Sequence, residues 1–252
     1  MRRFSFIFYL LLFLISCKTQ LVVREINAGN VTIDSSIGAV DAGLDAMIKP
    51  YRDSIEHDMS KLVAVTSTAM VKGKPESKLT NLISDILLES GSEYCKKNRP
   101  DVKPDAAYVN YGGLRAPLPQ GNVTVERVFE LMPFENELVL LKVSGETLLQ
   151  MAEKIAARGG EGLAGLKLGI KNDRVSSLTL AGNSIDKNAV YWLVTNDYVA
   201  NGGDQMSMFL NQLERIDTRL KLRDLIILKL GERYRKYGVI DVKEDGRIYH
   251  EQ

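Results

Sequence analysis

Histidine and cysteine are scarce in this chain, two of each among 252 residues, and the shortage narrows its chemistry. His57 and His250 stand far apart, and neither has the spacing of a metal-binding motif such as HExxH. A hydrolase built on two metal ions takes several His and Asp ligands from neighbouring loops, so the expectation is that this chain holds no metal cofactor. There is no GxSxG elbow and no GxxxxGK[ST] phosphate loop, and a serine nucleophile without a histidine base beside it has no support. With only Cys17 and Cys95 there is no disulfide framework, so a hydrophobic core of ordinary size must hold the fold. Charge of one sign is also lacking: 33 Lys and Arg against 32 Asp and Glu give +1, which is no footprint for a nucleic-acid partner. Internal repeats and low-complexity segments are absent too.

What is present begins at the N-terminus. Arg2 and Arg3 precede the apolar run FSFIFYLLLFLI, Phe4 to Ile15, and LISC ends at Cys17. The run is shorter than the roughly twenty apolar residues of a spanning helix and has the form of a secretory signal, although an uncleaved anchor is the alternative. LISC resembles a bacterial lipoprotein signal, which implies a signal peptide over residues 1–16 and lipidation of Cys17. The expected organisation is then a tether over 17–39 and a domain over 40–252. The chain is expected to be exported and held by lipid to the cell envelope, at the outer membrane or in the periplasm.

From Val40 the spacing of Leu44, Ile48, Tyr51, Ile55 and Met59 predicts an amphipathic helix with Pro50 as a candidate kink. LVAVTSTAMV, Leu62 to Val71, reads as a strand, and LTNLISDILLESGSEYCKK as a helix in which Gly91 is tolerated or marks a break. AAYVN is a short buried strand, ELVLLKVSG an apolar strand, and GETLLQMAEKIAARGG a helix stopped by paired glycines. LKLGIKNDRVSSLTLAGNSID alternates and turns at Lys171 to Asp173 and at Gly182-Asn183, a hairpin or meander. AVYWLVTNDYVANGGD is a strand running into a glycine loop, and LKLRDLIILKLGERYRKYG a closing helix. Strands in runs with helices between them predict α+β or mixed α/β rather than a doubly wound parallel sheet.

One loop stands out. NYGGLRAPLPQG, Asn110 to Gly121, combines three glycines, two prolines and Arg115. Turn geometry accounts for the glycines and prolines. Arg115 is left over, and a guanidinium on a loop whose glycines expose backbone N–H groups can grip an anionic oxygen.

Three segments, in order, resemble the C-terminal domain of the 5′-nucleotidases. NYGGLRAPLPQGNVTVERVFELMPFENELVLLKVSGETL resembles its N-G-G-G-[IL]-R pattern followed by [LP]-P-F-x-N and a strand ending in [TS]-G. KPESKLTNLISDILLES resembles its upstream helix, and TNDYVANGGDQM its T-N-[DS]-[FY]-x-A-x-G-G-D motif. The resemblance implies an α+β fold of mixed sheets flanked by helices, and a pocket for a nucleoside or nucleotide. It assigns Asn110 and Arg115, on the loop of Gly112 and Gly113, to the phosphate side. Phe134 and Tyr198 would stack on the base, Asn136 would meet the base edge, and Asp204 would accept the ribose hydroxyls. Gly160 would fall near the backbone lining the base pocket. Taken without the motifs, Phe134 and Tyr198 read as core aromatics, and Asp204 has the alternative reading of a turn cap.

The chain departs from the family pattern at Tyr111, which replaces a glycine, and at Gln205-Met206. Lys74 or Lys78 stand where the family has phosphate-side arginines, and lysine lacks the bidentate fork. The family's metal ions and catalytic residues belong to an N-terminal metallophosphoesterase domain that the residues before Val40 are too few to form. The expectation is therefore nucleotide recognition in partnership with a separate metallophosphoesterase subunit, which alone would carry divalent metals. The alternatives are a stand-alone surface nucleoside- or nucleotide-binding lipoprotein and a scaffold without a ligand.

Overall fold

The computed structural model describes residues 24–26, 28–30 and 41–251. The expected signal peptide, Cys17 and most of the tether lie outside these residues. The chain divides into two units, Met1–Ile48 and Lys49–Gln252. Helix α1, Ala42–Met59, runs unbroken through Pro50, and its expected apolar stripe from Leu44 to Ile55 is exposed.

In the second unit, three apolar segments form the centre of a five-stranded sheet. They are β2 (Ala106–Val109), β4 (Glu137–Ser144) and β9 (Val190–Asn196). Their neighbours are β5 (Gly162–Ala164) and β10 (Glu214–Lys221), in the order β10-β4-β9-β2-β5. β2 and β9 are parallel, while β4 runs antiparallel to β9 with Leu138 opposite Asn196.

Successive side chains of a strand point to opposite faces, and here both faces are covered. Ala107, Val109, Leu138, Leu140 and Val194 enter one core, in which they meet Leu82, Ile83 and Ile86. Tyr108, Val139, Leu141 and Leu193 enter the other, with Leu148, Met151 and Ile155. Two-sided burial explains why these strands are continuous apolar runs instead of alternating ones. Each fully buried Leu or Ile contributes about 1.5–3 kcal/mol.

The first core is closed by α2 (Lys78–Asn98) and α6 (Leu222–Tyr237). Ser77 starts α2 through a reciprocal capping box with Thr80. Gly91 is no break: it lets α2 approach β9, since a Cβ there would lie 2.7 Å from Val194 Cγ2. On the other side, α4 (Gly145–Ala157) faces β4, and the two glycines after it carry φ of +75° and +116°, the usual left-handed helix stop.

The expected meander is β6 (Leu166–Lys171), β7 (Arg174–Leu180) and β8 (Asn183–Ser184), joined by β11 (Ile248–His250) in a four-stranded sheet. The first expected strand is shorter than its sequence pattern. β1 covers Leu62–Thr66 and pairs with β3 (Gly121–Thr124). Beyond it only Met70 keeps a bridge, to Leu118. Helices α3 (Val125–Leu131) and α5 (Asp197–Ala200) follow β3 and β9 directly.

Candidate functional site

Parallel β2 and β9 end on the same edge of the sheet, and antiparallel β4 begins there. Three segments therefore meet at that edge: the loop from Asn110 after β2, the loop Pro133–Asn136 before β4, and α5 with the glycine turn that follows it after β9. They border a cleft of about 350 Å3. Asn110, Gly112, Gly113 and Arg115 line it from the first loop, and Phe134 and Asn136 from the second. Tyr198 and Asp204 complete the lining.

Phe134 and Tyr198 are 41% and 47% exposed, so the core reading of these two aromatics does not apply. Apolar rings held at a surface cleft are free to stack on a planar ligand.

A chain of hydrogen bonds ties the polar members together. Asn196 ends β9 and caps α5 through Oδ1, which accepts from Val199 N at 2.8 Å. Its Nδ2 donates to Asn110 Oδ1 at 3.0 Å. Asn110 Nδ2 in turn donates to Asp204 Oδ2 at 2.5 Å, and Tyr198 Oη donates to Asp204 Oδ1 at 3.2 Å. Each carboxylate oxygen thus has one partner and lone pairs to spare.

The two loop glycines allow this closeness. A Cβ on Gly113 would stand 3.0 Å from Asn110 Oδ1, and one on Gly112 3.5 Å from Asp204 Oδ2.

A second layer fixes Asp204 from behind. Its backbone is left-handed, φ 50° and ψ 37°. Arg158 Nη2 donates to its carbonyl oxygen, and Arg158 Nη1 donates to Glu161 Oε1 at 2.8 Å. Glu161, 4% exposed, also accepts from Tyr108 Oη at 2.5 Å and from Tyr111 N at 3.1 Å. Burial, with the Glu161 charge adding to it, pushes the Tyr108 phenol well above its ordinary range. Burial alone would lower Arg158, but its bond to Glu161 outweighs this and raises it.

Asn196, Arg158 and Glu161 were not singled out by the sequence. Asn196 lies inside the TNDYVANGGD motif and Glu161 directly follows the glycine pair, yet the bonds that tie them to the cleft, to Asn110 and to Tyr108 and Tyr111, reach residues tens of positions away.

Three expected residues lie apart from the cleft lining. Gly160 is buried against Pro75, whose carbonyl oxygen a Cβ would approach to 2.1 Å. Lys78 donates to Thr68 Oγ1 at 3.2 Å and borders a separate cavity. Lys74 borders that cavity too, and donates to the Arg158 carbonyl. Tyr111, in place of a glycine, carries Lys72 Nζ 4.3 Å and Lys74 Nζ 5.1 Å from its ring centre. Lys72 also donates to Leu114 O at 2.8 Å. Burial, then Arg115 and Lys74, pull the Lys72 ammonium below its usual range. The side of the cleft at Arg115 is therefore cationic.

The cleft's donors are amides, a guanidinium and one carboxylate, which do not match the several imidazole and carboxylate ligands of a catalytic divalent site. Among the described residues one carboxylate trio, Glu89, Glu93 and Glu232, could share an ion. Its centre is taken by the ammonium of Lys229, 1% exposed, at 2.6 Å from Glu93 and 2.8 Å from Glu232.

The sequence profile described as "5'-nucleotidase, C-terminal domain" matches residues 61–211, a span that includes every residue lining the cleft. The chain belongs to that family. A 5'-nucleotidase-related protein of Glossina morsitans morsitans is 25% identical over 230 residues, which cover 81% of this chain and 40% of the relative. A 5'-nucleotidase of Vibrio vulnificus is 25% identical over 179 residues, 69% of this chain and 31% of the relative. Among solved structures, a 5'-nucleotidase precursor of Thermus thermophilus superposes with a TM-score of 0.70 at 25% identity, over 82% of this chain and 42% of that one. The chain spans less than half the length of these relatives.

Proposed function

We propose that the cleft of this 5'-nucleotidase C-terminal domain receives a nucleoside or nucleotide, and that the chain supplies recognition to a separate metallophosphoesterase chain. Together they hydrolyse nucleotides to nucleoside and phosphate. The base lies between Phe134 and Tyr198, Asn136 meets its edge, Asp204 accepts the ribose hydroxyls, and Asn110 and Arg115 face the phosphate. The observation that carries this reading is the exposure of both aromatics in one cleft with a carboxylate held open by Asn110. Stacking contributes about 1–3 kcal/mol per aromatic face.

Adenosine and AMP titrated calorimetrically into the detergent-solubilised full chain test it. Binding that weakens about tenfold or more in Phe134→Ala and in Tyr198→Ala, with unchanged melting, supports the pocket. No binding by the wild type to either ligand, alone or with phosphoesterase chains of the same envelope, sinks it. Tight binding that alters no phosphatase activity favours the stand-alone binding protein instead.

The proposal includes export and a lipid tether on Cys17, for which the support is the basic start, the short apolar run and LISC. Among the described residues no helix is long and apolar enough to cross a membrane. Cys17→Ser is expected to move the chain out of the membrane fraction, and retention there would refute the tether.

A further inference from the structure

Resting on that reading, we infer that Asp197 sets the gap between the two aromatic walls, as a positioning residue for the base. The inter-strand register of β4 and β9 ends with Leu138 opposite Asn196. Beyond that pair the chain of β9 turns into α5, and the Asp197 side chain takes over the cross-strand contact. A single atom, Asp197 Oδ1, accepts from Glu137 N at 3.1 Å and from Tyr198 N at 2.9 Å. Glu137 closes the loop that presents Phe134, and Tyr198 is the opposite wall. One carboxylate oxygen therefore joins both segments at their roots.

The far side of the Phe134 loop is pinned independently, so that Asp197 pulls against a fixed frame. Lys221 Nζ donates to Glu135 O at 3.0 Å and to Glu137 Oε1 at 2.9 Å, and Leu222 N to Asn136 O at 2.9 Å. Arg223, 8% exposed, stacks on Phe129 at 3.9 Å and bonds Glu135. With that side held, losing the Asp197 bonds frees the loop only toward or away from Tyr198. The base gap is what changes, while Asp204 keeps its bonds from Asn110 and Arg158, and Arg115 its place on the glycine loop.

Both donors are backbone N–H groups, so the role needs an acceptor oxygen more than a charge. Asp197→Asn keeps that oxygen and Asp197→Ala removes it. The test uses the full chain in detergent and combines amide hydrogen exchange with titrations of adenosine and ribose 5-phosphate. In Asp197→Ala, exchange is expected to rise about tenfold or more in residues 134–138 and at Tyr198 together. Adenosine is expected to bind about tenfold more weakly and ribose 5-phosphate within about twofold of wild type, with Asp197→Asn restoring all three. Asp197→Ser, one atom too short to span to Glu137, replaces the alanine variant if that fails to fold.

Equal losses for both ligands, exchange that rises at Tyr198 alone, or an asparagine variant that behaves like alanine would each overturn the assignment. If the wild type binds neither ligand, the nucleoside reading falls, and the exchange data alone then decide whether Asp197 joins the two loops.

Discussion

Asn110 Nδ2 lies 2.5 Å from Asp204 Oδ2, although 94 positions separate the two residues in sequence. The contact exists because β2 and β9 are parallel neighbours whose ends release their loops on the same edge. It makes Asn110 the hinge between the glycine loop and the carboxylate, and its other atom, Oδ1, satisfies the buried amide of Asn196.

Replacing Asn110 by Asp places two carboxyl groups within hydrogen-bond reach, and like charges that close do not both ionise. The pair must share a proton in the folded protein, so its apparent pKa rises above that of the unfolded chain. A raised folded pKa contributes stability that is present at low pH and is lost as pH climbs through the folded value. Asn110→Asp is therefore expected to lose stability relative to wild type as pH rises from acid to neutral. Urea unfolding across that range checks it, and a difference independent of pH contradicts it.

How much of this was legible in the sequence depends on what each element's neighbours contribute. AAYV and LVLL announce their strands because both faces are buried, so apolar character alone suffices. The ERIDTRLK segment of β10 did not, since only alternate residues such as Ile216 and Thr218 are buried on that edge strand. Ile248–His250 is too short to show any period. Leu62–Val71 has strand composition throughout, yet only Leu62–Thr66 finds a partner strand in β3. In the site, the motifs located Phe134, Tyr198 and Asp204, but composition could not say whether the aromatics were core or surface. The Glu161 network joins groups about fifty residues apart, and no local pattern encodes such a meeting. The Gly159-Gly160 pair was legible as a helix stop, while its contact with Pro75 was not.

Gly160 and Gly203 separate fold from site. Alanine at Gly160 meets the Pro75 backbone at 2.1 Å with φ +116°, and positive φ costs an L-residue about 1–2 kcal/mol before any clash. Gly160→Ala is expected to lose at least about 2 kcal/mol of stability, since overpacking adds about 1–3 kcal/mol. At Gly203 a Cβ would lie 2.5 Å from Tyr198 Cε1 and 2.6 Å from the Tyr198 carbonyl oxygen, so the ring and its backbone must both shift. Gly203→Ala is expected to lower stability and adenosine affinity together, whereas Gly160→Ala, away from the cleft lining, lowers stability alone. Calorimetry and thermal melts of both variants decide, and an affinity loss at Gly160 as large as that at Gly203 goes against the distinction.

Gly91→Ala sets helix propensity against packing. Alanine gains about 1 kcal/mol over glycine inside a helix. The new methyl would stand 2.7 Å and 3.0 Å from the two γ-carbons of Val194, a β-branched side chain with little rotamer freedom on a fully buried strand position. Overpacking costs about 1–3 kcal/mol, so a net loss is expected. Stability restored by Val194→Ala in the double variant identifies the contact, and a stabilised single variant would show that α2 moves freely away from the sheet.

Acid sensitivity is expected at Asp245. Its bond to Arg247 holds the carboxyl below the ordinary value of 3.8, against the opposing effect of burial. Arg247 also bonds Asp85 and the Leu163 carbonyl, joining the C-terminal segment to α2 and β5. A depressed carboxyl pKa contributes stability that is complete above the unfolded value and is lost as pH falls through the folded one. Asp245→Asn is thus expected to flatten the fall in stability below about pH 4, the unperturbed carboxylate range. Guanidinium midpoints measured from pH 6 downward test this, and parallel curves for variant and wild type refute it.

Glu161→Gln reaches the site from behind. Glu161 is buried and accepts from three donors, Tyr108 Oη, Tyr111 N and Arg158 Nη1. A glutamine offers one acceptor oxygen and turns an NH2 group toward donors. Arg158 loses its counter-charge as well, and removing one partner of a buried pair costs about 3–5 kcal/mol, reduced here because Arg158 is a quarter exposed. The expected loss of stability is about 2 kcal/mol or more. Arg158 also holds the Asp204 carbonyl, so adenosine affinity falls beyond what partial unfolding accounts for. Tyr108→Phe removes one donor and leaves the Arg158–Glu161 pair intact, which makes it the control. If that variant lowers adenosine affinity as much as Glu161→Gln does, the effect travels through β2 and not through Arg158.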